Sequence, residues 1–582
     1  MKIKFYLLFC IALCCTNGFA QTAYHAGFAQ KSIEPQDYPF SLALAGYGLP
    51  RDGRFTLKWV KQTTPDAAVR KQMETILSKK TGVPGSVASV VIGNRSYMAD
   101  SSGKISSAGL SEKRKTWKQI TVLPGIQSLT AHAGVLFGLT NKNEIWKYDI
   151  QENKEPWVKI AQFNGLAYNI ELKAIFFNGN QLIGLDKDRL LYKATHQTEG
   201  FLGVEALAIA QQKQRVVLVT VDLCGFNADF INDIKAEVYK KHKIPASAVL
   251  INASHTHFAP GSQSWTTWGP HNQRPDKAYL YGVVRPAIIS SITTAISSMA
   301  PAELYFGRGK TAIGFNRRLK GADVPYDNDV DVLQIINKKN KNKTVLFSTG
   351  CHPVAGNVGL TGITISANYP GITRNYLKKE GGITNAMFVQ GCGGDINPKE
   401  EVEYIKTGEA LGKDILNVLH KELRKIEGNI TFFMDSVNFP VTKLIADDLE
   451  DFKAKNSLAI GDVYAEKNVR WAELMQDLKK NNKLPTQMPV YIQTVNIGSW
   501  KLVGISRETV TEYSIGIKAL WPDRMVSVAG YCNDVSSYLP TSKHIRGGGY
   551  EGYDSFLWYG QPAIFPESVY DTILQRIKDQ NH

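Results

Sequence analysis

Hydrophobic and polar positions alternate in two styles along this chain, and the change of style divides it. Gly27 to Gly48 is compact and turn-rich, ending Leu44-Ala45-Gly46-Tyr47-Gly48. Between Phe55 and Ala194, short β-type runs alternate with Gly/Asn/Asp/Lys turns and a weak repeat emerges. Trp117-Lys118-Gln119-Ile120 returns as Trp157-Val158-Lys159-Ile160. Leu136-Phe137-Gly138-Leu139, a turn and Ile145-Trp146-Lys147 are echoed by Leu182-Ile183-Gly184-Leu185, a turn and Leu191-Tyr192-Lys193. This predicts about three blade-like meanders, few for a closed propeller, in an inserted all-β segment over 55–194. Beyond it the pattern turns to α/β. Val216 to Asp222 is a continuous apolar run, Asn227 to Lys241 has helical spacing at Phe230, Ile231, Ile234 and Val238, and Ala248 to Ala253 is a further strand. That predicts a right-handed βαβ crossover. Thr344–Thr349 reads as a strand, and a helix follows Asn368-Tyr369-Pro370-Gly371. A charged helical stretch covers about 446–480, and a hairpin runs 490–505. The expectation is an α/β (α+β mixed) domain with a predominantly parallel central sheet, assembled from 21–54 and 195–582 around the insertion.

The first twenty residues read as an address. Lys2 and Lys4 precede the apolar run Phe5–Cys15, and Gly18-Phe19-Ala20 offers a cleavage site before Gln21. The chain is therefore expected to be exported, periplasmic or secreted; Cys14 and Cys15 invite a lipid anchor, but Leu13 stands where a small residue would precede the cysteine. No later stretch reads as a membrane helix. Of 582 residues, 68 are Lys or Arg and 53 Asp or Glu, a formal charge of +15 that falls to +13 without Met1–Ala20. The lysines are scattered, apart from a short run at 338–343 that reads as a turn, so a nucleic-acid partner is not expected. Seven cysteines, four of them beyond Ala20 and none in a Cys-x-x-Cys pair, exclude a disulfide scaffold and a zinc ribbon.

Metal-binding residue types cluster where strands are expected to end. His255 and His257 close one strand, and in extended backbone residues two apart face the same side. His352 closes another within Gly350-Cys351-His352-Pro353. Three histidines beyond strand ends form a candidate zinc constellation. Cys351 beside His352 raises thiol chemistry, but immediate neighbours in extended backbone face apart, so packing is the expected role. Gly391-Cys392-Gly393-Gly394 lacks the Lys-Ser/Thr tail of a phosphate loop.

These residues resemble a family. Ser254-His255-Thr256-His257 with Pro260-Gly261 is similar to the His-Thr-His motif of the neutral (non-lysosomal) ceramidases. The opening Gly27-Phe28 through Gly48, the strand ending at Asp222, Phe315-Asn316-Arg317, Ser366 to Gly371, Gly393 to Pro398, and Tyr538-Leu539-Pro540-Thr541 leading to Tyr550-Glu551-Gly552 resemble its further blocks, in order over about 27–54 and 195–575. The resemblance implies one zinc ion held by His255, His352, Glu508 and Tyr538. Tyr531 competes with Tyr538, but the twelve-residue separation of Tyr538 from Tyr550 equals the family's spacing.

The same resemblance and zinc chemistry assign His257 to proton transfer and Arg317 and Tyr550 to oxyanion stabilisation. Asp222 either orients a ligand histidine or is a turn residue. Departures bear on substrate: Ser506-Arg507-Glu508 stands where the family reads Pro-Gly-Glu, Phe258-Ala259 replaces small residues, and the β-rich insertion and an end at His582 differ from typical ceramidases. The leading expectation is a zinc hydrolase cleaving an N-acyl amide of ceramide or a related lipid. Alternatives are the same site acting on a glycan or glycoconjugate, suggested by Trp117, Trp146 and Trp157, or a non-catalytic binding protein using the insertion.

Overall fold

The computed structural model describes residues 23–580 apart from 36–41, 43, 46–56, 79–84, 113–115, 151–156, 163–169, 197, 200, 265–266, 268–275, 320–323, 357–363, 401–402 and 460. The proposed leader and the Gly46-Tyr47-Gly48 turn lie outside the described residues. At the centre is a nine-stranded sheet. Its main path uses β1 (Tyr24–Ser32), β2 (Gly203–Gln211), β3 (Gln214–Val221), β4 (Val249–Ala253), β5 (Ala300–Lys310), β6 (Asp329–Asn337), β7 (Lys343–Thr349) and β8 (Asn385–Gln390). The spatial order is β4-β3-β2-β1-β5-β6-β7-β8.

The expectation of a predominantly parallel sheet is wrong. Only β3–β4 and β7–β8 are parallel, and the five pairings between them are antiparallel. A continuous apolar run reports burial on both faces, whatever the direction of the neighbour. β2 is the example: all nine of its residues are buried, yet it is antiparallel to both β1 and β3. It joins β3 by a tight hairpin in which Gln212 takes a left-handed φ of 53°.

The crossover read from the sequence does form, as β3, helix α1 (Ala228–His242) and parallel β4. A second crossover joins β7 to β8 through α2 (Asn368–Glu380). A second sheet is built from β9 (Ile430–Pro440), β10 (Gln487–Ile497), β11 (Trp500–Ile505) and β12 (Met525–Ala529). There β10 and β11 make the expected hairpin, and α3 (Thr511–Ala519) carries the chain from β11 to parallel β12. Buried residues of both sheets and of α1 form one apolar cluster, including Val217, Leu250, Ile234, Val495 and Leu502. The charged stretch at 446–480 is two helices, Leu449–Ser457 and Val463–Lys480.

By length and composition, the helical run Lys277–Ser297 is apolar enough to cross a membrane. Ile288, Ile292 and Ala295 on it are fully buried in the core cluster, while Tyr281 is exposed. Among the described residues of 57–196 lie three four-stranded antiparallel sheets, the third completed by Leu57–Lys61 pairing with Leu191–His196. The segment is not all-β, because Ala67–Ser78 is helical. Val69 on that helix shares an apolar cluster with Phe176 and Leu185 of the third sheet, which the alternating pattern did not disclose.

Candidate metal centre

Each of the three parallel pairs in the two main sheets sends its strand ends toward one place. Cys224 follows β3, His255 follows β4, His352 follows β7, Gly393 follows β8, Glu508 follows β11, and Tyr531 and Tyr538 follow β12. Backbone hydrogen bonds knit these exits together. Ala253 N–H donates to Tyr531 O at 3.1 Å, Gly394 N–H to Thr509 O at 2.8 Å, and His352 N–H to Ile396 O at 2.9 Å. Glu508 and Tyr538 face one another as register partners in a short parallel pair.

His255 Nε2 lies 3.1 Å and His352 Nε2 3.3 Å from Glu508 Oε2, and all three residues are buried. The candidate ligand atoms of His255, His352 and Glu508 lie within 4.8 Å of one another. His255 Nδ1 is 2.6 Å from Cys224 O, and His352 Nδ1 is 2.6 Å from Gly393 O. A carbonyl only accepts, so each Nδ1 carries the proton and donates. Both Nε2 atoms are therefore turned toward the same carboxylate oxygen. Three such atoms in a buried site call for positive charge between them, supplied by a proton on one imidazole or by a metal ion. Two imidazole nitrogens and a carboxylate, with carbonyls fixing both tautomers, are a donor set that suits zinc.

The electrostatics carry the same demand. Burial alone would lower the pKa of His255, but the Cys224 thiol and the Glu508 carboxylate push it up to about 10. Burial raises Glu508, yet the two imidazoles hold it well below the usual carboxylate range. His352 is pushed down to about 4, first by burial and then by Arg317.

His257 Nε2 lies 3.2 Å from His255 Nε2. Burial first, and then His255 and His352, hold its pKa well below that of a free imidazole. The two histidines do not converge by the extended geometry expected of them. β4 ends at Ala253, and His255 takes a left-handed φ of 64°, so the chain turns between the rings. The rings meet edge to face at 4.9 Å.

Arg317 spans the next layer. Its Nη2 donates to Tyr538 Oη and Gly394 O, both at 3.0 Å, Nη1 to Asn397 Oδ1 at 2.9 Å, and Nε to Glu551 Oε1 at 3.0 Å. Tyr538 and Tyr550 stack edge to face at 5.4 Å, and the Arg317 guanidinium lies 6.0 Å from the Tyr550 ring. All seven residues singled out from the sequence thus belong to one connected cluster. Tyr531 tilts over the His255 ring at 4.3 Å. Asp222 does not orient a histidine; its carboxylate accepts from Arg374 at 2.6 Å and from Gly203 N–H at 2.9 Å.

The chain carrying this cluster superposes on known enzymes. A neutral ceramidase from Pseudomonas aeruginosa matches with a TM-score of 0.53 and 18% identity, over 66% of this chain and 69% of that one. A ceramidase complexed with C2 matches with a TM-score of 0.51 and 19% identity, over 66% and 70%. The fold is ceramidase-like. No family model matches the sequence, and no curated protein matches it.

Several members of this site escaped the sequence. Tyr559 donates its hydroxyl to Glu508 Oε1, and nothing in its local sequence marks it. Glu551 binds Arg317 and also pairs with Arg318 at 2.5 Å; its place beside Tyr550 was the available signal. The carbonyls of Cys224 and Gly393 leave no side-chain signature. Arg507, where the resemblance reads glycine, has φ 74°, which explains a glycine there. Its guanidinium is tied to Pro489 O at 2.8 and 3.1 Å and to Ser537 Oγ at 2.5 Å. Cys351 is fully buried in an apolar cluster, where burial pushes its thiol pKa up, an environment of packing.

Proposed function

We propose that the protein is an exported zinc-dependent hydrolase that cleaves the N-acyl amide bond of ceramide or a related N-acyl lipid. The observation that carries this is the meeting of His255 Nε2, His352 Nε2 and Glu508 Oε2, with both Nδ1–H groups spent on carbonyls, in a ceramidase-like fold. His255, His352 and Glu508 would hold the ion, with Tyr538 as the fourth ligand. Zinc there supplies a Lewis acid for the scissile carbonyl and lowers the pKa of water toward neutrality.

The remaining chemistry belongs to the chain's own groups. His257, kept neutral by burial and its imidazole neighbours, takes the proton of the attacking water at Nε2 and returns it to the departing amine nitrogen. Arg317, fixed by four acceptors, keeps a positive charge beside Tyr538 and Tyr550. The Tyr550 hydroxyl and the Arg317 charge stabilise the oxygen that becomes negative as the carbonyl is attacked. The substrate is a small amide or lipid molecule, and no nucleic acid takes part.

The test is incubation of the purified protein with ceramides labelled in the acyl chain, with and without a chelator, alongside metal analysis. Release of labelled fatty acid that stops on chelation and returns with zinc is expected. Chelator-insensitive release removes zinc from the mechanism, and no release from any N-acyl lipid removes the substrate class. Of the tryptophans behind the glycan reading, Trp117 and Trp146 are half-buried. Trp157 is buried with Nε1 donating to Thr121 Oγ1 at 3.0 Å, and Trp146 Nε1 donates to Glu144 at 3.1 Å.

A further inference from the structure

Glu508 has two carboxylate oxygens in different surroundings. Oε2 faces both imidazole Nε2 atoms. Oε1 accepts the hydroxyl of Tyr559. A carboxylate beside a divalent ion swings readily between one-oxygen and two-oxygen binding, and an outer donor on one oxygen suppresses that swing. We propose that Tyr559 is a positioning residue that holds Glu508 in a one-oxygen pose toward the metal.

The backbone around Tyr559 is anchored as that role demands. On one side Thr267 Oγ1 donates to Trp558 O, and on the other the buried Trp471 Nε1 donates to Gln561 O at 2.8 Å. Tyr559 N–H donates to Ser555 O at 2.9 Å and Gln561 N–H to Phe556 O at 2.8 Å, closing the segment on itself. The phenol ring packs against Ala45 and Cys224. That contact ties Tyr559 to the residue whose carbonyl fixes His255. Tyr559 thus supports one metal ligand directly and borders the support of another.

The segment has a second consequence. Tyr538, Tyr550, Glu551 and Tyr559 all lie between Tyr538 and Gly560, and Gly548 and Gly549 within it take φ of 62° and 71°. The stretch that presents the proposed oxyanion donor therefore also sets the pose of a metal ligand. A displacement of this segment would loosen the ion and remove Tyr550 together.

This inference rests on the zinc reading of the site, and the experiment separates the two. Zinc affinity is measured by chelator competition on the full-length wild type and on Tyr559→Phe, which removes one oxygen and keeps the ring. The metal-free melting temperatures are compared to confirm an intact fold. We expect Tyr559→Phe to bind zinc about 10- to 100-fold more weakly, the usual effect of losing an outer-layer partner. The cobalt-substituted proteins give the readout that simple destabilisation does not move. A switch to two-oxygen binding raises the coordination number and weakens the visible d–d absorption. Tyr559→4-aminophenylalanine restores an N–H donor at the same place and should recover both affinity and spectrum, and it serves as the folded control if Tyr559→Phe does not fold. Equal zinc affinity and identical cobalt spectra in wild type and Tyr559→Phe overturn the role of Tyr559 alone. A wild type that binds no zinc overturns this role and the zinc reading together. A wild type that binds zinc and cleaves no N-acyl lipid refutes the substrate, while loss of affinity in Tyr559→Phe still upholds the positioning.

Discussion

Tyr538 and Tyr550 lie against one another, yet their substitution by phenylalanine should give opposite signatures. In the proposed roles Tyr538 is a metal ligand and Tyr550 only an oxyanion donor. Phenylalanine at 550 keeps the ring that stacks on Tyr538 at 5.4 Å and stands 6.0 Å from the Arg317 guanidinium. The change therefore removes one hydroxyl and little packing. Losing a single preformed donor to an oxyanion lowers kcat by about 10²- to 10³-fold, or about 3–4 kcal/mol. Because the donor acts in the transition state, kcat and kcat/KM should fall together, with zinc content unchanged. Phenylalanine at 538 deletes the oxygen that accepts from Arg317 at 3.0 Å, but the guanidinium keeps Gly394, Asn397 and Glu551. Arg317 should stay in place, so the loss falls on the metal, and zinc stoichiometry and activity should drop together. Metal analysis after gel filtration, with steady-state kinetics on one N-acyl lipid, reads both quantities. Equal zinc loss in the two variants, or full zinc in Tyr538→Phe, shows that the ligand has been misassigned; Tyr531, stacked on His255, is then the next residue to substitute.

Three further outcomes follow from the same geometry. His257→Ala should retain zinc and lose roughly 10²- to 10⁴-fold in kcat, the range for a general acid–base group; zinc loss in step with activity would make His257 a ligand. Gly350→Ala places a Cβ 2.4 Å from Cys392 O, wedging apart the segments that carry His352 and Gly393, so both melting temperature and zinc affinity should fall; an unchanged melting curve refutes the close packing. Lys235 is buried with Nζ 3.4 Å from Gln493 Oε1, and burial pushes its pKa down to about 7. Folding must then favour the neutral amine, a cost that is full below pH 7 and fades as pH rises toward the ordinary lysine value near 10.4. Lys235→Met should stabilise the protein by a few kcal/mol at pH 6, and the gain should shrink by pH 9.5. Gln493 Oε1 keeps its bond from Asn533 Nδ2 at 2.8 Å, so no acceptor is orphaned. A gain that grows with pH contradicts the sign.

What could be read from the sequence was the chemistry more than the architecture. The histidines stand out because few residue types suit a metal and they fall where strands were expected to end, whereas Glu508, Tyr538 and Tyr550 were reached only through the resemblance to the ceramidases. The sheet was misread because apolar runs such as those of β2 and β3 encode burial while strand direction depends on the connections. A hairpin turn at Gln212-Lys213 contains neither glycine nor asparagine, so the chain reversal leaves almost no signal. The helix Ala67–Ser78 was missed inside a segment whose neighbours alternate with period two. Tyr559 and the carbonyls of Cys224 and Gly393 act across long sequence separations, where nothing local reports them.

The misread sheet nonetheless bears on why the site lies where it does. An antiparallel neighbour returns the chain to the opposite end of the sheet, so consecutive strands deliver their ends to different sides. A parallel crossover brings two consecutive strands to the same end. This fold uses that device sparingly, at β3–β4, β7–β8 and β11–β12. Each pair contributes two exits, and in the first two pairs one exit supplies a histidine while the other fixes that histidine with a carbonyl. Cys224 O after β3 fixes His255 after β4, and Gly393 O after β8 fixes His352 after β7. The third pair differs, since Glu508 after β11 and Tyr538 after β12 meet in direct register, Glu508 facing the two histidines and Tyr538 accepting from Arg317. The rule that ligands gather beyond the carboxyl ends of parallel strands thus holds locally, pair by pair, in a sheet that is antiparallel overall. It follows that the strictest packing should fall on the crossovers. The Cβ contact predicted for Gly350 and the analogous one at Gly391, 2.9 Å from the Thr349 carbonyl carbon, both lie where β7 and β8 leave the sheet side by side.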